Sequence, residues 1–332
     1  MSGPLNGVCL MRIALGAMLA AALVGFAANA VAQTYPSRPI TLIEPFAAGG
    51  PSDAVARVVA QAMSQTLGQS VIVENITGAA GTIAAARLAR APADGYTIGM
   101  ATWSTHVVSP VVYHPPYSVF KDFAPVALLT ETPLVLVAGK KIAANDLRGL
   151  IAWLKANPNT AFQGVAGGTD QVIGFLFQKR TGTKFQTVPY RGLRLAMEDL
   201  VAGRIDLLFD QPSDALPQIK AGTVKAYAVT ARRRLTIAPD IPTVDEAGLS
   251  GLYLTPWQSI WAPQGTPAVA IAKLNGAAVA ALANPDVRKR LADLAQEVVP
   301  RDRQTPSALG YYYTAEVDKW WPVIKAAGLK AE

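Results

Sequence analysis

The stretch ITLIEPFAAGGPSDAVARVVAQAM, residues 40–63, reads as a buried strand, a tight turn and a helix. An apolar run ends at Gly49-Gly50. Pro51 then supplies a ready-made first helical turn, and an amphipathic pattern follows. GVAGGTDQVIGFLF, residues 164–177, repeats the arrangement with Gly167-Gly168. In an open parallel sheet, ligands bind beyond the carboxyl ends of the strands. The helix that starts there points unpaired N–H groups and the positive end of its dipole at whatever lies outside. Glycines let the backbone turn sharply and approach a ligand closely. Each loop is therefore either an ordinary capped turn or a cradle for an anion, and the recurrence favours the cradle. Ser52 and Thr169 add hydroxyl donors. Asp53 and Asp170 lie in the first helical turn, where the dipole favours an acid. Asp53 reads as a cap first and as a partner for a ligand amine or hydroxyl second.

Outward from this stretch, strand-like and helix-like patterns alternate. SVIVEN, YTIGMAT, VALLTE, LVLVAG, TAFQGVA, FQTVPY, IDLLFD and VKAYAVTA read as strands. Between them lie helical patterns such as GTIAAARLARA, DLRGLIAWLKANP and RLAMEDLVAG. The strands are continuous apolar runs, which suits parallel strands covered on both faces. The alternation predicts an α/β fold of open, doubly wound sheets. After residue 257 the texture changes to helices alone, split at Asn284-Pro285 and ending in PSALGYYYTAEVDKWWPVIKAAG. These must pack on an earlier core. The expected organisation is a discontinuous first lobe, 33–136 plus 257–332, with a second lobe, 137–256, inserted. Two crossings between lobes form a natural hinge.

Composition narrows the function. The chain has 332 residues, of which 51% are hydrophobic and 16% charged. MRIALGAMLAAALVGFAANAVAQ reads as a secretory leader, with Arg12 in the positive region, an apolar stretch to Phe26 and a small-residue cleavage site near Ala32. The expected fate is export. The only cysteine, Cys9, precedes that segment and is removed with residues 1–32, so the mature chain is expected to have no disulfide and no cysteine metal site. The formal charge is +7. Lys and Arg are scattered, and Arg232 to Arg234 form a short run without aromatics to stack bases, which argues against nucleic acid.

Further polar groups fall at strand ends: Ser104, Thr105 and His106 after YTIGMAT, Tyr190 and Arg191 after FQTVPY, and Asp210 closing IDLLFD. Arg191 either pairs with a carboxylate through its fork of donors or lies on the surface. Nucleotide, α/β-hydrolase and zinc-protease signatures are absent. His106 and His114 show no metal-ligand spacing, so no metal, cofactor or catalysis is expected.

The pieces YPSRPITLIEPFAAGGPSDAVAR, VIVENITGAAGTIAAARLARAPADGYTI, KDFAPVALL, VPYRG, IKAGTVKAYAVTA, PDIPTVDEAGL and APQGTPAVAIAKLN carry a resemblance along almost the whole mature chain. It resembles the solute receptors of tripartite tricarboxylate transporters, the Bug receptors. The resemblance implies a periplasmic-binding-protein fold of type II, closing around a small organic carboxylate and passing it to membrane permease subunits. A sensor that reports its ligand to a signalling partner is the alternative on the same fold. The resemblance places ligand contacts at Phe46, Ala48, Gly49, Gly50, Ser52 and Asp53 in one lobe. In the other it places them at Gly167, Gly168, Thr169 and Asp170, with Ser104, Thr105 and His106 nearby. Two departures stand out: Ile76-Thr77 replace the usual Arg-Pro pair, and Asp170-Gln171-Val172 replace a usual Ser-Ser-His.

Overall fold

The computed structural model describes residues 35–329; the leader, with Cys9, lies outside the described residues. Two sheets carry the chain. The first has strand order β2-β1-β3-β10-β4-β11 and the second β7-β6-β8-β5-β9. The first sheet is built from β1 (Ile40–Glu44), β2 (Val71–Asn75), β3 (Thr97–Thr102), β4 (Phe123–Glu131), β10 (Trp257–Pro263) and β11 (Glu297–Val298). The second is built from β5 (Val135–Gly139), β6 (Phe162–Val165), β7 (Gln186–Pro189), β8 (Leu207–Asp210) and β9 (Val224–Val229).

β1 lies parallel between β2 and β3, with Leu42 level with Val73 and Ile98. β6 lies parallel between β7 and β8. The helices α1 (Pro51–Leu67), α2 (Thr82–Ala89), α5 (Gly168–Thr181), α6 (Leu193–Val201) and α7 (Pro212–Lys220) follow strands β1, β2, β6, β7 and β8. The remaining helices are α3 (Ser109–Tyr113), α4 (Leu147–Ala156), α8 (Ala268–Ala283), α9 (Pro285–Asp293) and α10 (Pro306–Ala327). Local chemistry sets these ends. Gly68 closes α1 in the left-handed conformation at φ 67°, and the Asp146 carboxylate caps α4 by accepting the Gly149 N–H at 2.7 Å.

Two readings of the sequence need correction. The apolar strands are not all parallel: β5 runs antiparallel to β8 and β9, although all five of its residues are buried. A continuous apolar run reports cover on both faces, not strand direction. The region after 257 also holds a strand. β10 (WQSIWAP) lies between β3 and β4, antiparallel to both. Polar Gln258 and Ser259 hide it in the pattern. In the fold Ser259 Oγ accepts the Trp261 indole N–H at 2.8 Å, and Gln258 donates to Gln296 at 3.3 Å.

The chain passes between sheets twice, from Glu131 to Val135 and from Val229 to Trp257. The two passages are laced together. Thr132 N–H donates to the Pro256 carbonyl at 2.8 Å. The Thr230 hydroxyl donates to the Leu254 carbonyl at 2.6 Å and accepts the Leu134 N–H at 2.9 Å.

Candidate binding site

The loops at the carboxyl ends of β1 and β6 use one device. In each, the acid at the third helical position folds back to the loop four residues earlier. Asp53 Oδ2 accepts the Gly49 N–H at 2.8 Å, and Asp170 Oδ2 accepts the Ala166 N–H at 3.0 Å. The acid thus fastens the turn and does not cap the helix. Gly50 and Gly167 stand at the N-caps of α1 and α5, and neither helix has a side-chain cap. The first N–H groups of both helices are consequently left without an intrahelical or side-chain acceptor. The same holds for α6 and α7, which start at Gly192 and Gln211. α2, α3 and α8 also lack side-chain caps, whereas α4, α9 and α10 carry them from Asp146, Asn284 and Thr305.

The two latches differ electrically. Burial alone would raise Asp53, but hydrogen bonds from Arg57 Nε at 2.8 Å, the Gly49 N–H and Asn75 Nδ2 at 2.8 Å outweigh it and hold the carboxyl below its usual range. Asn75 also donates to the Phe46 carbonyl at 2.9 Å, so it fixes the start of the loop. Asp170 has no cation beside it. Burial pushes it up to about 7, against the pull of the Ala166 N–H. Glu44, the last residue of β1, is also pushed up to about 7 by burial, despite the Ser52 hydroxyl and the Phe46 N–H.

The paired glycines are not equivalent. Gly49 needs to be glycine for its backbone, at φ 82°. Gly168 needs to be glycine for space: a Cβ there would overlap Val108 Cγ1, in the segment after β3. This is a direct approach of α5 to the segment after β3. That segment, Ser104–Val108, is a π-helical turn, a distortion frequent at functional sites.

Other expected residues are distributed as follows. Ala48 and Gly49 are exposed, Phe46, Gly50, Gly167, Gly168 and Thr169 are half-buried, and Ser52 is buried. Ser104 is half-buried, but Thr105 and His106 turn inward, at 1% and 2% exposure. In this structure both side chains face the core of the first sheet. Thr105 Oγ1 accepts the Thr102 N–H at 2.9 Å and so shapes the turn. The His106 ring is packed by Phe123 and Trp261, each at 5.4 Å, and by Tyr313 at 6.1 Å. Burial pushes His106 down to about 3, so it is a neutral packing group at any pH near 7. Tyr190 is committed to Asp199 through its hydroxyl at 2.8 Å, and Arg191 is exposed. Asp210 is fully buried at the end of β8. Burial, then the charges of Asp214 and Asp170, raise it far above the usual carboxylate range, although its Oδ1 accepts the Gln211 N–H at 2.7 Å. Among the described residues no group of His, Cys, Asp and Glu is arranged to hold a metal ion.

Sequence reading missed three contributors. Arg57 was detectable, four residues beyond Asp53 on the same helix face. Asn75 and Val108 gave no local signal, since their roles depend on chain far away in sequence.

Comparison with known proteins agrees with this architecture. Residues 55–329 match the family model described as tripartite tricarboxylate transporter family receptor. A UPF0065 protein of Agrobacterium vitis, encoded between ttuE and ttuC', is 43% identical over 321 residues, 95% of this chain and 91% of its own. The periplasmic binding protein BugD superposes with a TM-score of 0.80 at 36% identity, covering 90% of this chain and 100% of its own. MatC of Rhodopseudomonas palustris, solved with bound malate, gives 0.79 at 37%, with 87% and 100% covered. Rpa4515 of R. palustris, solved with adipate, gives 0.81 at 32%, with 89% and 99% covered. With a family match across most of its length and the shared two-sheet fold, this chain belongs to the tripartite tricarboxylate transporter receptor family.

Proposed function

We propose that this chain is an exported, non-catalytic receptor that captures a small organic carboxylate between its two lobes and presents it to the membrane subunits of a tripartite transporter. The observation that carries this reading is the set of helix N-termini left without side-chain caps at the carboxyl ends of the parallel strands, on α1 in one lobe and on α5, α6 and α7 in the other. Such N–H groups, with the dipole behind them, suit a carboxylate at each end of a short acid. The acid latches hold both loops in position before the ligand arrives, which lowers the entropy lost on binding. In this reading the lobes comprise 33–136 with 257–332, and 137–256, and the laced passages at 131–135 and 229–257 act as the hinge. The leader ending near Ala32 directs export. Malate in MatC and adipate in Rpa4515 support a carboxylate as the ligand class.

The test is a thermal-shift screen of residues 33–332 against mono-, di- and tricarboxylates, with malate and adipate included. A ligand at ~100 times its Kd adds about 2.7 kcal/mol. The expected outcome is a clear rise in Tm with at least one acid that is recovered unchanged in mass. A folded, ligand-free protein that responds to no carboxylate overturns the reading, and conversion of the acid overturns its non-catalytic part.

A further inference from the structure

Glu316, on α10, belongs to none of the loops described above, yet it joins two of the working parts. Its Oε2 accepts the indole N–H of Trp103 at 2.9 Å and that of Trp257 at 3.3 Å. Trp103 follows β3 directly and opens the π-helical turn that ends at Val108, the residue against which Gly168 closes. Trp257 is the first residue of β10, directly after Pro256, whose carbonyl accepts the Thr132 N–H from the other passage. One carboxylate oxygen therefore connects the edge where the lobes meet to the place where the chain passes between them.

The geometry leaves each indole little alternative. Trp103 and Trp257 are 1% and 0% exposed, and a buried indole N–H needs an acceptor. Trp320, one turn along α10, packs edge-on against Trp103 at 5.2 Å. The same helix holds the main chain of the π-helical turn. Tyr313 Oη donates to the His106 carbonyl at 2.9 Å, and Trp321 Nε1 donates to the Val107 carbonyl at 3.0 Å. Glu316 also borders a groove of about 370 Å³, with Glu131 and Thr255 from the two passages and Tyr312 and Lys319 from α10. Tyr313 also reaches both, since its ring packs edge-on against Trp257 at 6.2 Å, whereas Glu316 accepts from the two indoles through one oxygen.

We propose that Glu316 is a positioning residue: it makes the π-helical turn and the hinge end of β10 a single stiff unit, so that pressure of α5 on Val108 is carried to the hinge. This rests on the receptor reading above. If the turn yielded, contact between the lobes would be absorbed locally, and the ligand edge would have to be ordered at the moment of capture.

The test compares hydrogen exchange of the ligand-free full chain with that of Glu316→Ala and Glu316→Gln. The alanine variant is expected to speed exchange at 103–108 and at 254–258 together, by roughly tenfold or more, while β1 and β6 keep their protection. The glutamine variant retains an acceptor oxygen and is expected to restore both segments. Trp257→Phe, which removes one donor and keeps the ring packing, is expected to loosen 103–108 as well as its own segment. Faster exchange spread evenly over the chain, or confined to the segment nearest the substitution, overturns the proposal. A second arm measures affinity for malate and adipate, where the alanine variant should bind about tenfold more weakly and the glutamine variant close to wild type. A wild-type chain that binds neither, nor any other carboxylate, defeats the receptor reading, and the exchange arm still decides the role of Glu316.

Discussion

At the scale of single residues, the two loops show how one local motif can be tuned in opposite ways. Gly49 and Gly50 look interchangeable in sequence, but only Gly49 has a left-handed backbone. Gly50 is at φ −78°, and an added Cβ would meet only the Ala47 carbonyl, at 3.3 Å. Gly49→Ala is therefore expected to cost about 1–2 kcal/mol in a denaturant titration, with Gly50→Ala costing clearly less; equal costs would contradict this reading. The acids behave differently again. Asp53 is satisfied by Arg57, the Gly49 N–H and Asn75, whereas Asp170 is buried with a single N–H donor and titrates near 7. The ordinary value, 3.8, applies once the chain unfolds. Between 3.8 and about 7 the folded chain keeps a proton on Asp170 that the unfolded chain has released, so stability falls as pH rises through that window and levels off above it. Glu44 acts in the same direction up to about 7. Melting curves should show a Tm that drops by about 10 °C or more from pH 5 to pH 8, since two groups at about 1.4 kcal/mol per pH unit each act at about 2–4 °C per kcal/mol. Asp170→Asn should flatten the drop and leave the variant the more stable form at pH 8. An unchanged slope in the variant would mean that the lone latch does not titrate there.

At the scale of elements, what was legible in the sequence is what local chemistry decides. The start of α1 at Pro51, its end at Gly68, the cap at Asp146 and the break at Asn284-Pro285 all follow from residues within a turn of the boundary. So do the two glycine loops. β10, the π-helical turn and the direction of β5 escaped because their signals are not local. β10 carries glutamine and serine as its second and third residues, and their partners, Gln296 and the Ala101 carbonyl, come from elsewhere in the chain. The π-helical turn is held by Tyr313 and Trp321, more than 200 residues away. Strand direction in the second sheet was hidden because β5 is apolar on both faces whichever way it runs. The candidate site divides in the same way. Its donors sit on glycine-rich turns that can be read directly. The side chains that fix those turns, such as Asn75 on Asp53 and Glu316 on Trp103, lie 22 and 213 residues from their partners. The contrast between helices with and without side-chain caps also emerges only in three dimensions. Asp53 and Asp170 stand where a capping acid belongs, and the fold turns them to the preceding loop.

At the scale of the whole molecule, the approach of Gly168 to Val108 is a point at which elements carried by the two sheets meet. A methyl group at 168 cannot be accommodated while Val108 keeps its branched side chain. Gly168→Ala should hold α5 away from the π-helical turn and weaken capture by about tenfold, or ~1.4 kcal/mol. Val108→Ala removes both Cγ atoms, including the closest, but leaves its Cβ 2.9 Å from the added methyl. Combined with Gly168→Ala it should recover part of the lost affinity, although alone it helps nothing. Gly167→Ala is the control: its backbone is extended at φ 175° and an added Cβ there meets nothing within 4 Å. It should bind as wild type does. A double-mutant cycle on carboxylate affinity isolates the term that matters. If the contact sets closure, the two substitutions are strongly non-additive, and small-angle scattering of Gly168→Ala shows a smaller ligand-induced contraction than wild type. If the cycle is additive, Gly168 acts through its own loop alone, and the contact with Val108 does not set affinity.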